Sequence, residues 1–516
     1  MNPELSHQAR VREFLQQPQT YGLPSDAKIE TIETHASWIF LVGDRVYKLK
    51  KAIKLTYLDF STLDLRTHAV NREFSLNQKF SPDLYLGMAG VYSRPNSDYS
   101  LHPLRAVDQR SGDTLVEPLV VMRRFPQNAQ LDRIVASKNM TTALAEQLGV
   151  MAALVIENAE ERKSDWCRQF RSVISNSFQD LEHLPENLGG LHVRQLRDRI
   201  LETVSVNSSD IAEASGIGRV RRCHGDLHLG NIYVSDNKVF PFDALEFDEN
   251  LATIDVLYEL AFLLMDLIQN DEIQSALRVQ TVCVSRCALW QGVHLLPLYC
   301  AVRSLIRAIV TADLNRQHQS DILEDKAHRY IKTAEKLLEP TSPRLICIGG
   351  LSGTGKTTQA FHLAEQLFPL SMVIRSDMIR KISSGVDIFE KLPAVSYTPE
   401  ASALVYERML QDAKTILHKG TPVVLDAVFN HPEEQRVAEK LARDLNIPFH
   451  GFWLELPLGE RIDRISEREL DASDADKAVA EIQEKYDRPN SSWETISARG
   501  TPQQVGRRME DQLFKK

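Results

Sequence analysis

Gly350-Leu351-Ser352-Gly353-Thr354-Gly355-Lys356-Thr357 is the stretch that decides the reading of this chain. It satisfies GxxxxGK[ST] at every fixed position. An apolar run, Leu345 to Ile348, precedes it, and KTTQAFHLAEQL, with helical spacing, follows. Strand, glycine-rich loop and helix form the context in which such a loop cradles phosphate. The glycines let backbone N–H groups turn inward around phosphate oxygens, and the helix start adds the positive end of its dipole. Lys356 is expected to reach the β- and γ-phosphates of ATP, and the Thr357 hydroxyl to ligate Mg²⁺. Gly350, Ser352, Gly353, Thr354, Gly355 and Thr358 complete the expected nucleotide-binding set.

Downstream of the loop, apolar and helical segments alternate: RLICIGG, SMVIRSD, PVVLDAV and PFHGFWLEL read as strands with helices between them. That rhythm predicts a parallel sheet with crossover helices. The third strand ends in Asp426, placed where an acidic residue supports the metal. Its neighbour is Ala427 rather than a second carboxylate, which favours transfer to an acceptor over hydrolysis. Ser376-Asp377-Met378-Ile379-Arg380 follows the second strand, at the carboxyl edge where open α/β sheets bind ligands. Asp377 is positioned to take a proton from an acceptor hydroxyl, and Arg380, one turn on, to hold an anionic group. Arg461, Arg464 and Arg468, at spacings of three and four, form one helical face suited to a lid over phosphates.

Upstream, LLEPTSPRLICIGG holds a seam between Pro340 and Pro343, and the domain boundary is expected near residue 341, giving domains 1–340 and 341–516. The first third reads as strands, with SWIFLVGDRVYKLKK a hairpin turning at Gly43-Asp44 and EPLVVMRRF a further strand. From about Thr141 the pattern is helical, interrupted by RCHGDLHLGNIYVSDNKVFPFDALEF. Strands first and helices afterwards predict a two-lobed α+β region. Within the interruption, Asp226 and Asn231 lie in a polar loop, and Asp243 follows at a strand end. Protein-kinase-type sites use this spacing: the loop Asp orients the acceptor hydroxyl while the Asn and the second Asp hold Mg²⁺.

Two resemblances follow from these motifs. HGDLHLGN, with Asp243 beyond it, resembles the aminoglycoside phosphotransferase (choline-kinase-like) branch of the kinase fold. That resemblance implies a catalytic base at Asp226, Mg²⁺ ligands at Asn231 and Asp243, a phosphate-binding Lys48 paired with Glu73, and an adenine-binding hinge at LVVMRRF. Lys50 shares the strand face of Lys48 and competes for its role. The chain departs from the family in its Asp243-Ala244-Leu245-Glu246 pattern, and no GxGxxG covers the nucleotide. From about 343 to 500, the phosphate loop, SDxxR and arginine face resemble small-molecule P-loop kinases such as gluconate kinases, chloramphenicol phosphotransferase and zeta-toxin-like proteins. The order of the two domains resembles bacterial bifunctional proteins that fuse an aminoglycoside phosphotransferase-like domain to a P-loop domain. The resemblances imply a bifunctional kinase acting on small-molecule hydroxyls. The alternatives are one catalytic domain with a nucleotide-binding regulatory module, or a zeta-toxin-like kinase.

The totals bound these readings. At 516 residues, two or three domains are expected, and 43% hydrophobic with 25% charged residues is ordinary for globular proteins. A net charge of −9 gives no global attraction to nucleic acid or anionic membrane. The six cysteines form no CxxC pair, so neither a disulfide framework nor a zinc site is expected. IDVLYELAFLLMDLIQ carries Asp255, Glu259 and Asp266 and reads as a buried helix; with no signal-like start, the protein is expected to be cytoplasmic. Arg303 and Arg307, one helical turn apart, are a further candidate anion site, more simply a surface face.

Overall fold

A computed structural model describes residues 3–55, 58–93, 99–104, 113–181, 190–318, 320–467, 473–486 and 492–514. The stretch expected to be a hairpin is one: β2 (Ser37–Val42) and β3 (Arg45–Lys50) pair antiparallel across Gly43-Asp44. Aromatic and β-branched residues alternating along these strands fit a pleated, half-buried surface. β1 (Glu30–Glu33), β4 (Tyr85–Ser93), β5 (Tyr99–Pro103) and β6 (Thr114–Arg123) complete a six-stranded sheet in the order β1-β2-β3-β6-β4-β5. Helix α1 (Leu63–Phe80) starts where the Thr62 hydroxyl accepts the Leu65 N–H. It turns Arg66, Ala69, Val70, Glu73 and Asn77 inward, the three- and four-residue spacing of one buried face. One core gathers Trp38, Phe40, Leu49, Val91, Leu119 and Val121, and a second joins Val70, Leu84, Tyr85, Val120 and Met122 to Tyr233. Tyr233 belongs to the hairpin β7 (Ile232–Ser235) and β8 (Lys238–Pro241). Asp236 and Asn237, both at positive φ, turn that hairpin. All these elements belong to one unit, Met1–Ser137 with Arg222–Ile254.

The second unit comprises Lys138–Arg221 and Asp255–Lys516. Its helices include α2 (Thr142–Glu157), α3 (Val256–Gln269), α4 (Ile273–Cys287), α5 (Leu296–His318) and α6 (Asp321–Leu337). The apolar stretch after Ile254 is α3, buried on nearly every side. Among the described residues one segment, Trp290–Asn315, is long and apolar enough to cross a membrane, and 72% of its apolar window is buried inside the protein, as a core helix is. All six cysteines are free.

Beyond the seam the expected alternation appears. β9 (Leu345–Gly350), β10 (Met372–Arg375), β11 (Val423–Asp426) and β12 (Phe449–Glu455) are joined by a strand not read from the sequence, β13 (Glu494–Ser497). They form a wholly parallel sheet in the order β10-β11-β9-β12-β13. Helices α7 (Lys356–Glu365) and α8 (Ser376–Ser383) start at the carboxyl ends of β9 and β10. The architecture is thus an α+β region led by a six-stranded antiparallel sheet, followed by an α/β domain with a wholly parallel sheet. Within this unit α4 packs against α7, β10 and α8. Val282 of α4 shares an apolar cluster with Met378 and Ile388, and the Gln280 amide donates to the Ser371 carbonyl at 2.9 Å.

Candidate active sites

The phosphate loop takes its shape from backbone that only glycine adopts easily. Gly350, Gly353 and Gly355 have φ of 140°, 84° and 89°. At Gly353 there is also no room: a Cβ would lie 2.6 Å from the Arg461 carbonyl oxygen. Ser352 N–H donates to the Gln483 side chain at 2.7 Å, and the Lys356 ammonium lies 3.2 Å from the Leu351 carbonyl. Thr357 donates its hydroxyl to Asp426 Oδ2 at 2.7 Å. Burial lifts the Asp426 carboxyl above the usual carboxylate range, against the opposing pull of Arg375 and Lys356.

A cavity of about 1770 Å³ opens above this floor. Ser352, Gly353, Gly355, Lys356, Thr357, Thr358, Asp377, Arg380 and Asp426 all line it. The structure therefore brings together most of what was read from three separate stretches; Gly350 and Thr354 lie outside the lining, in the turn that supports it. Arg380 stacks over Tyr397 at 4.8 Å and donates to the Ser396 carbonyl.

Arg461 and Arg464 take places other than a lid face. Arg461 is fully buried, paired with Glu484 and aimed at the Ser352 carbonyl. Arg464 donates to the Ala498 carbonyl at 2.9 Å and points to the Thr354 carbonyl at 3.5 Å. Both brace the phosphate loop from behind, because a guanidinium with five donors, fully buried at Arg461 and partly buried at Arg464, seeks carbonyl and carboxylate acceptors. Arg468 lies outside the described residues. Arg303 is not a surface group either: its guanidinium lies 3.9 Å over the Tyr258 ring and 4.6 Å over Phe262.

The second cluster lies wholly within the first unit. Asn231, buried, donates to the Asp226 side chain at 2.9 Å and to its backbone carbonyl at 3.0 Å. His224 is fully buried; its Nε2 donates to the Phe242 carbonyl at 3.0 Å and its Nδ1 faces the Asp226 N–H at 3.4 Å. A ring that donates at one nitrogen and accepts at the other is neutral, and burial pushes its pKa down to about 4, overcoming the nearby Asp226 and Asp243 charges. Asp243 sits at a φ of 61°, uncommon for a residue with a Cβ, and its N–H donates to the Tyr85 hydroxyl at 3.0 Å.

Lys48 bridges Glu73 at 2.9 Å and Asp243 at 2.5 Å. Lys50, almost fully buried, pairs with Glu73 at 2.6 Å and with Glu246. Both competing lysines thus meet Glu73, and Lys48 also reaches Asp243. Burial opposes the charge on Glu73, yet the two lysines overrule it and hold its carboxyl down at about 2. Glu246 goes the other way: burial and the neighbouring Glu73 charge raise it against a single close lysine. The sequence reading missed Glu246 as a participant. Its signal was the departure Asp243-Ala-Leu-Glu246, which puts a third carboxylate beside the two lysines.

A metal fit can be judged on these oxygens. Among the described residues no group of three or more His, Cys, Asp or Glu gathers to cage an ion. Mg²⁺ carried on nucleotide phosphates asks for only one or two protein oxygens. Thr357 with Asp426, and Asn231 near Asp226 and Asp243, meet that demand with hard oxygen donors.

Uncharacterized proteins of Mycobacterium tuberculosis (strain H37Rv) and Mycobacterium bovis are each 27% identical to this chain over 480 residues, 90% of it and 91% of theirs. Among solved structures, a choline/ethanolamine kinase family protein from Mesorhizobium loti aligns at 14% identity over 64% of this chain and 95% of its own, with a TM-score of 0.40. The GDP complex of aminoglycoside 2′-phosphotransferase-IIIa aligns at 12% over 63% and 98%, with a TM-score of 0.39. A gluconokinase from Sinorhizobium meliloti 1021 aligns at 16% over 34% and 97%, with a TM-score of 0.26. Residues 345–489, the segment that holds the phosphate loop, match the family model described as the AAA domain.

Proposed function

We propose that the chain is an ATP-dependent phosphotransferase with two nucleotide-handling sites, each moving a γ-phosphoryl group to the hydroxyl of a small molecule in the cytoplasm. The observation that carries this reading is the floor of the large cavity, where Lys356, Thr357 and Asp426 converge below Asp377 and Arg380. Mg·ATP, when bound, supplies the phosphoryl group and the charge of the metal. Thr357 and Asp426 would hold the metal, and Lys356 would offset charge on the β- and γ-phosphates. Asp377 would accept the proton of the acceptor hydroxyl as its oxygen bonds to the γ-phosphorus and the β–γ bridging bond breaks. Arg380 would fix an anionic group of the acceptor, and domains 1–340 and 341–516 would each carry one such site.

In the first site, Asp226 would take the corresponding proton, with Asn231 holding its carboxylate in place. Asn231 and Asp243 would hold the metal, and Lys48, steadied by Glu73, would meet the phosphates. One observation favours a second reading, in which this site binds nucleotide as a regulator: Asp243 is engaged by Lys48. Screening a metabolite library for ATP-dependent phosphorylation with Lys356→Ala and Asp226→Asn chains separates the readings. Loss of one product set in each variant is expected under the first. Unchanged activity on every substrate in both variants would end the proposal, and loss only with Lys356→Ala would assign the first site to regulation.

A further inference from the structure

Arg375 ends β10 and stands in register with Asp426 on the neighbouring parallel strand β11, so the two side chains emerge on the same face of the sheet. Its guanidinium is 1% exposed. A cation so buried must be neutralised, and the carboxylates of Glu146 and Asp426 are both within reach. Glu146, on α2 and also 1% exposed, meets Arg375 Nη1 at 2.7 Å, whereas Asp426 Oδ2 stands 3.6 Å from its Nε. That same Asp426 oxygen accepts the Thr357 hydroxyl at 2.7 Å. Arg278 of α4 approaches Glu146 at 3.5 Å, lies 4.0 Å over Phe361 of α7, and lines the cavity together with Thr142 at the start of α2.

We propose that Glu146, contributed by a helix some two hundred residues upstream of the phosphate loop, is a positioning residue for the P-loop metal site. By neutralising Arg375, it keeps Asp426 free to serve Thr357 and Mg²⁺. The inference rests on the reading of Thr357 and Asp426 as metal-holding oxygens. Without the Glu146 charge, Asp426 is a carboxylate still in reach of the buried guanidinium. The arginine then competes with the metal for one oxygen, and its positive charge opposes Mg²⁺ directly. The P-loop site is therefore completed by a helix that sequence order assigns to the other domain.

The test uses the full chain and a fluorescent ATP analogue, with the Lys356→Ala-sensitive part of the binding signal defining the site. Mg²⁺ is titrated against that signal in the unaltered chain, Glu146→Gln, Glu146→Asp and Gln280→Ala. Outer-shell partners of a metal site typically change its affinity by 10–100-fold. Glu146→Gln is expected to raise half-saturating Mg²⁺ by about tenfold or more, with the metal-free affinity for the analogue unchanged. Gln280→Ala, which removes the hydrogen bond of the neighbouring helix α4 to the Ser371 carbonyl, is expected to leave the Mg²⁺ requirement where it was. Glu146→Asp, which keeps the charge one methylene further back, is expected to recover most of it. Should Glu146→Gln not fold, Glu146→Asp is read against the unaltered chain, with a smaller rise expected. An unchanged Mg²⁺ requirement in the folded Glu146 variants overturns the inference while leaving the site reading intact. No Lys356-sensitive binding in the unaltered chain overturns the site reading itself, and the inference with it.

Discussion

Around Lys356 the cradle is largely main chain: three positive-φ glycines and the N–H groups at the start of α7, with Arg461 and Arg464 bracing the loop's carbonyls from behind. Around Lys48 they are side chains, two lysines and three carboxylates interlocked below the six-stranded sheet. A backbone cradle is set by φ and ψ, so it is specified locally and withstands the loss of one neighbour. A side-chain network is set by charge balance between residues up to 196 positions apart, so each member's protonation and reach depend on the others. The first kind of site is exposed to substitutions that add atoms, the second to substitutions that remove charge.

The largest expected effects separate binding from chemistry. Asp226→Asn removes the proposed base but keeps a hydrogen-bonding partner for Asn231. Turnover at the first site should fall by about 10²- to 10⁴-fold while nucleotide affinity holds. Lys356→Ala removes a charge used in both ground and transition states, so nucleotide affinity and turnover at the second site should fall together, turnover by roughly 10²-fold or more. Steady-state kinetics combined with nucleotide titration reads both. Equal behaviour of the two variants would erase the distinction.

Next comes the charge balance itself. Glu73→Gln leaves two buried lysines short of a carboxylate, and breaking a buried pair from one side costs about 3–5 kcal/mol. Denaturant unfolding should show that loss in the transition of the first unit. Lys50→Met, which strands Glu246 but leaves Glu73 with Lys48, should cost less, because burial already disfavours the Glu246 charge. An equal or larger cost for Lys50→Met would show that Lys50, rather than Glu73, is the group on which the balance turns.

The linear sequence disclosed the two sites unequally, and the physics of each says why. All eight residues of the phosphate loop are contiguous, and a periodic strand and helix flank them, so loop, sheet class and the position of Asp426 were legible. Asp226, Asn231 and Asp243 were legible through spacing within one hairpin-bearing loop. Glu246 and Glu146 were not, because their partners Lys50 and Arg375 lie 196 and 229 positions away. Arg461 and Arg464 show the opposite error: helical spacing of three put them on one face, but spacing cannot tell whether that face meets solvent or the back of a loop. Edge strands β1 and β13 escaped because they are mostly exposed and polar, giving little hydrophobic alternation to read.

Acid should distinguish the units. His224 is held neutral with its pKa pushed down to about 4, while an unfolded histidine titrates near 6.5. The folded state therefore binds fewer protons than the unfolded one between these values. The stabilisation is whole above pH 6.5 and is lost as pH falls toward 4, amounting to about 3 kcal/mol by linkage. Calorimetric melts from pH 7 to pH 4 should show the first unit's transition sliding down faster than the second's. His224→Gln, which keeps a neutral donor, should flatten that slope, and an unaltered slope would place the acid sensitivity elsewhere.

The smallest effects concern left-handed backbone, where the two sites reverse roles. Gly353→Ala puts a Cβ at a φ of 84° and 2.6 Å from a backbone carbonyl, with no flexible side chain to yield. A cost of about 1–3 kcal/mol in the second unit, with weaker nucleotide binding, is expected. Asp243→Gly works on a residue already strained at a φ of 61°. Removing its Cβ relieves about 1 kcal/mol of strain, while losing the half-exposed partner of Lys48 forfeits a comparable amount. The melting transition of the first unit should therefore move little while its turnover disappears. A Tm that rises with activity retained would show that Asp243 is strained for no catalytic end, and that Lys48 serves the network alone.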